Sequence, residues 1–172
     1  MTSPGSGLYI EPEKLPSFGE STARRLQLSG EAPAKRTARE LNAALARIGR
    51  IHSQLESKYR AASEVPGAAE WLLDNWYLVQ REGRYAIEEL KAAGRLRNTS
   101  DGPLLTEACG ALVRSGMGEI TAERIEAFIT GFQTVLPLSR TELSLLVPGI
   151  KAALVKEVAD ICTAGPDKRD KE

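Results

Sequence analysis

The residues best equipped for chemistry in this chain lie close together. Between positions 68 and 90 the sequence reads AAEWLLDNWYLVQREGRYAIEEL. It carries both tryptophans, Trp71 and Trp76, two of the four tyrosines, and an Asp-Asn pair set in an apolar run. Advancing about 100° per residue sorts the segment as a helix with two faces. Trp71, Leu72, Trp76, Val79, Ala86, Ile87 and Leu90 fall on one broad arc, expected to face the core, and Asn75 lies within it. Asp74, Tyr77, Arg81, Tyr85 and Glu88 gather on the other side, with Glu70 beside them.

Each face has two chemical readings. A tryptophan buries roughly 150–250 Å², so both are expected as core anchors; an exposed indole would instead offer a stacking platform for a sugar ring. Asn75 on an apolar arc needs hydrogen-bond partners, and a structural bond to a backbone carbonyl is the simplest. Glu70, Asp74, Tyr77, Arg81 and Tyr85 form the candidate partner face. They read either as a surface ladder of ion pairs or as two tyrosines flanking an arginine at a protein interface.

No catalytic residue, metal-ligand set or cofactor site is assigned. Any metal site or histidine-dependent triad would have to be built around a single histidine, His52. Neither a glycine-rich phosphate loop nor a D-x-D acid pair occurs. Lys plus Arg and Asp plus Glu number 23 each, which is not the basic footprint of a nucleic-acid binder or of a protein held electrostatically to a membrane surface. Cys109 and Cys162 sit in apolar helical settings and read as small buried hydrophobes in a reducing compartment. The first twenty residues lack a charged-then-apolar leader pattern, and no apolar run approaches membrane-spanning length. A cytoplasmic location is expected.

The elements that must position these residues are helical. The chain has 172 residues, enough for one domain, with 42% apolar, 27% charged and 5% aromatic residues. Residues 1–36 are rich in Pro, Gly, Ser and charge and read as an extended or disordered arm, with docking of Leu8, Tyr9 and Ile10 on the domain as the alternative. From Thr37 to Ala62, Leu41, Ala44, Leu45, Ile48, Ile51, Leu55 and Tyr59 recur at steps of three and four. A second helix is expected from Pro66 to Ala93, stopped by Gly94. A third follows a cap at Asp101, and a fourth a cap at Thr121 flanked by Ile120 and Ile125. Ser139 with Glu142 is a capping box for a fifth, which Pro148 is expected to kink or break in two. With no strand-like alternation, the prediction is an all-α bundle of four to six helices over 37–165, followed by a charged tail at 166–172.

The run from Pro66 through Ala68–Asn75, P-x-A-A-E-W-L-L-D-N, resembles the N-terminal helical segment of cyclic β-1,2-glucan synthases. The likeness extends through the preceding LESKYRAASEVPGAAEWLLDN and, more loosely, through ITAERIEAFITGFQTVLPLSRTELSLLVPGIKAALVKEVADI, about residues 40–163 in all. The sequence departs from that pattern at Val65, where a capping Ser or Thr would be expected, and it has no Q-x-x-R-W motif. In that family the segment lies ahead of the sugar-transferring module and carries no catalytic residue. The resemblance therefore implies a non-catalytic module, a fragment or relative of that region, that packs against or positions a glycosyltransferase at the cytoplasmic face of the inner membrane. The alternative is a stand-alone helical adaptor or homo-oligomer with no carbohydrate role.

Overall fold

A computed structural model of the chain describes residues 9–164. The first eight positions, the Gly165-Pro166 stop and the charged tail expected at 166–172 lie outside the described residues. The fold is all-α, with a small antiparallel ribbon. In chain order come a 3₁₀ turn at Pro12–Lys14, α1 (Leu15–Arg25), β1 (Leu28–Pro33), α2 (Lys35–Tyr59), α3 (Gly67–Ala92), β2 (Arg95–Thr99), α4 (Leu104–Ser115), α5 (Ala122–Gln133), the single turn α6 (Arg140–Ser144), and α7 (Leu146–Ala164).

The expected helices correspond to α2–α7, and most of their boundaries follow from local chemistry. Gly94, at φ +75°, takes the left-handed position after α3 that a side chain would resist. Thr121 Oγ1 accepts the Arg124 N–H at 3.2 Å, and Ile120 and Ile125 both pack on the core. Ser139 and Glu142 close the capping box in both directions. At Pro148 the chain does not merely kink. It breaks at Leu145, and Pro148 becomes the third residue of α7, where its missing N–H costs no intrahelical bond. Asp101 does not cap α4; Pro103 holds that position without a side-chain cap. Thr99 Oγ1 instead accepts the N–H groups of Asp101 and Gly102 at 3.2 and 3.3 Å, so the loop is organised from the β2 side.

Two features differ from the sequence reading. Residues 10–36 are folded into the domain, so its boundary does not fall at 37: α1 buries Leu15, Thr22 and Ala23, and Phe18 packs against Phe128 at 5.9 Å. The helix is easily passed over in the sequence because Pro16, Ser17 and Gly19 interrupt its apolar positions, and part of its docking is backbone against backbone. A Cβ on Gly19 would run into the Phe128 carbonyl of α5, and one on Gly131 into the Pro16 carbonyl of α1. The inward positions Leu15, Phe18, Gly19, Thr22, Ala23 and Leu26 do recur at steps of three and four, but Gly19 and Thr22 among them add no apolar signal. The second difference is the ribbon, which pairs Ala32 with Leu96 and Pro33 with Arg95. It shows no alternation because β1 is almost wholly exposed, while on β2 Leu96 and Thr99 are buried.

Two apolar clusters share α7. One gathers Leu15, Leu104, Leu105, Leu112, Phe128 and Phe132 with Ile150 and Ala153 of α7. The other gathers Leu41, Leu45, Ile48, Leu72, Ile87 and Leu90 with Ala152, Val155 and Ala159. Neighbouring residues on α7 thus alternate between the clusters, and α3 is held by α2 on one side and α7 on the other.

Candidate functional site

Helix α3 buries Ala69, Leu72, Gly83, Ala86, Ile87 and Leu90. Gly83 makes room for Leu45 of α2, whose methyl carbons would lie 2.8 Å from a Cβ there. Trp76 is half-buried. Its indole stacks on His52 of α2 at 5.7 Å and 28°, and lies over Gly49, where a Cβ would stand 3.1 Å from the ring. The chain's one histidine is thus part of the α2–α3 contact.

Trp71 is not a core anchor. It is 49% exposed. The buried residues of α3 centre on a direction about 115° around the helix from it, so the arc drawn from sequence was too broad. Asn75, half-buried, donates from its side-chain amide to the Trp71 carbonyl at 2.8 Å, one turn back on its own helix.

The exposed side of α3 carries an ordered row. Trp71, Leu78 and Tyr85 are 49%, 47% and 58% exposed and stand seven residues apart. At a rise of 1.5 Å per residue they are about 10.5 Å apart and form a line about 21 Å long. Leu78 was missed from the sequence, although its sevenfold spacing from Trp71 and Tyr85 was there to see. Of the expected partner face, Tyr85 belongs to this row, and Glu70, Asp74, Tyr77 and Arg81 flank it on one side.

The flank is only partly an ion-pair ladder. Arg81 bonds Glu82, Nε to Oε1 at 3.0 Å and Nη2 to Oε1 at 2.8 Å, and its guanidinium lies over the Tyr77 ring at 5.8 Å. Lys151 of α7 reaches the other Glu82 oxygen at 2.7 Å. Hydrogen bonds from Lys151 and then Arg81 hold the Glu82 carboxyl below the ordinary value, and Glu82 in turn raises Arg81. Glu88 pairs with Lys91 at 2.8 Å. Among the described residues Glu70 and Asp74 make no ion pair or side-chain hydrogen bond. The arrangement is an apolar row beside a fixed cation and a free anion, suited to seating another helix.

Elsewhere the charged groups serve the fold. Arg124 is 1% exposed; its Nη2 donates to the Ser115 carbonyl at 2.9 Å and its guanidinium lies over the Tyr9 ring at 4.6 Å. A depression of about 220 Å³ between the end of α1 and α4 is lined by Thr22, Arg25, Asp101, Glu107, Ala111 and Arg114, with charges in balance. Cys109 and Cys162 are both free thiols; burial pushes Cys109 up to about 12 and raises half-buried Cys162 as well. Among the described residues no three His, Cys, Asp or Glu side chains converge as a metal site, and no helix is long and apolar enough to cross a membrane.

Comparison of the chain with protein-family models, with curated proteins and with solved structures gives no match.

Proposed function

We propose that this chain is a non-catalytic helical module that acts by docking, with the outer face of α3 as its contact surface. The observation that carries the reading is the row Trp71, Leu78 and Tyr85, three large side chains left in solvent at regular spacing on a helix whose other face is well packed. Aromatic residues held rigidly on a helix are the usual anchors of protein interfaces, since they bury much area with few rotamers to freeze. The resemblance of the Pro66–Asn75 run to cyclic β-1,2-glucan synthases supplies the first partner class to try. That partner is a polypeptide bearing a glycosyltransferase, which the module would hold at the cytoplasmic face of the inner membrane.

The test is a binding assay between the purified chain and a glucan synthase core, paired with a glucose-transfer assay on the chain alone. Capture that drops at least tenfold with Trp71→Ala plus Tyr85→Ala, and no transfer from UDP-glucose, is the expected result. Transfer of glucose by the isolated chain would sink the non-catalytic reading. Capture indifferent to the α3 variants would remove α3 as the surface.

A further inference from the structure

We infer that the outer face of α3 pairs with the same face of a second copy of this chain, antiparallel about a two-fold axis through Leu78. The inference rests on the reading of α3 as a docking surface and names the occupant of that face in the free chain, which a glycosyltransferase-bearing partner would have to displace.

The row is self-complementary in a way that a surface shaped for an unrelated partner need not be. A two-fold through Leu78 that reverses the helix sets Leu78 on its own copy. Trp71 and Tyr85 each lie seven residues from Leu78, so each sits about 10.5 Å along the axis from it, in opposite directions. The two-fold therefore places Trp71 of each copy over Tyr85 of the other, an aromatic pair made twice.

The charges obey the same axis. Asp74 lies four residues before Leu78 and Arg81 three after it. In the antiparallel pair their heights differ by about 1.5 Å across the interface. Both stand on the same flank of the row, within about 60° of Leu78 on the helical wheel, and the two-fold brings like flanks together. Asp74, without an ion partner among the described residues, then meets Arg81 of the other copy, and the pair is made twice. Arg81 is held for this by the Tyr77 ring and by Glu82 and has donors to spare. A parallel two-fold would instead put the two flanks on opposite sides of the contact, where Asp74 meets no Arg81. The geometry thus chooses the antiparallel arrangement as well as the partner.

The contact is one helix wide and about 21 Å long, at the small end of specific interfaces. Association should accordingly be reversible and concentration-dependent. In sedimentation equilibrium on the full chain, the mass should rise from that of one chain toward twice that value between about 1 and 500 µM. Leu78→Lys places two like charges on the axis and should abolish the rise. Asp74→Arg and Arg81→Asp should each weaken it at least tenfold. Mixing those two variants should restore dimerisation, because only the mixed dimer sets opposite charges against each other at both of its contacts between positions 74 and 81. A loss of folding cannot produce that rescue.

A chain monomeric over this range, a dimer indifferent to Leu78→Lys, or variants that do not rescue each other on mixing would each overturn the inference. A monomer that still captures a glucan synthase core through α3 would overturn it while leaving the docking function standing. A monomer that also fails to capture the core would count against both.

Discussion

Arg97 of β2 closes on Glu142 of α6 across 45 residues of sequence, its Nε lying 3.1 and 3.2 Å from the two carboxylate oxygens. Glu142 is 1% exposed and also accepts the Ser139 N–H at 2.8 Å, so one carboxylate both caps α6 and anchors the ribbon. Arg97 donates further to the Pro137 carbonyl at 2.7 Å. The loop before α6, the helix itself and β2 are therefore fastened at a single point.

That point sets an acid dependence of stability. Burial alone would push the Glu142 carboxyl up, but hydrogen bonds from Arg97 and Ser139 outweigh it and hold the group below its ordinary 4.5. A carboxyl depressed in the folded state contributes stability that is present above its unfolded value and is lost as pH falls through the folded one. Glu142→Gln should cost about 2–4 kcal/mol at pH 7, since it leaves Arg97 partly buried beside a neutral amide. Below the ordinary value of 4.5 the gap to the parent chain should narrow. Urea unfolding at neutral pH and again at about pH 3.5 reads both terms, and an equal cost at the two values would exclude the ion pair as the cause.

How much of this could be read in advance depended on how local each cause was. Ser139 and Glu142 announced a helix start because both partners lie within one turn. The same Glu142 gave no hint of Arg97, for nothing in a single sequence links residues so far apart. The interior of α3 was legible from its periodicity, yet Trp71 was misplaced because residue type suggested burial where neighbouring helices decided it. Leu78 was overlooked for the converse reason, as an apolar residue that no described element covers. Helix α1 was passed over although Leu15, Phe18, Thr22 and Ala23 hold a helical spacing, because Pro16, Ser17 and Gly19 among them read as an irregular arm.

Gly131 invites a test of opposite sign to intuition. Replacing glycine by alanine inside a helix ordinarily stabilises by up to about 1 kcal/mol. At Gly131 the new methyl would meet the Pro16 backbone, which cannot turn aside as a flexible side chain could. Gly131→Ala should destabilise by about 2 kcal/mol or more and expose α1 to limited proteolysis. Gly110→Ala in α4 is the matched control, because the nearest atoms there belong to the mobile Arg114 side chain. Thermal melts of the two variants should move apart; a Gly131→Ala chain at least as stable as the parent would refute the close α1–α5 contact.

The two thiols should separate kinetically. Cys109 is buried against α7 and its thiol is pushed up to about 12, so at about pH 8 almost none is ionised and none is reachable. Cys162 is half-buried and also raised, which slows it without shielding it. Labelling with an aromatic disulfide at that pH should consume one thiol in the native protein and both in denaturant. The rate at Cys109 should rise with denaturant in step with the opening of the core. Two equally fast thiols in native buffer would contradict the packing of α4 on α7.

Arg124 makes the most unusual demand on the fold. Its Nε and Nη1 find no hydrogen-bond partner among the described residues, and the acceptor of its Nη2, the Ser115 carbonyl, also receives the Ile10 N–H at 2.8 Å. A buried cation so poorly paired contributes through the packing of its stem and its stacking on Tyr9 more than through its charge. Removing the charge while keeping the volume should therefore be cheap: Arg124→Met is expected to change stability by less than about 1 kcal/mol, because Ile10 still satisfies the carbonyl. Arg124→Ala removes the stem as well and should cost about 2–3 kcal/mol through the cavity beneath Tyr9. Chemical denaturation of both variants decides between charge and packing. A methionine variant as weak as the alanine one would show that the guanidinium itself holds Tyr9 and the end of α4 together.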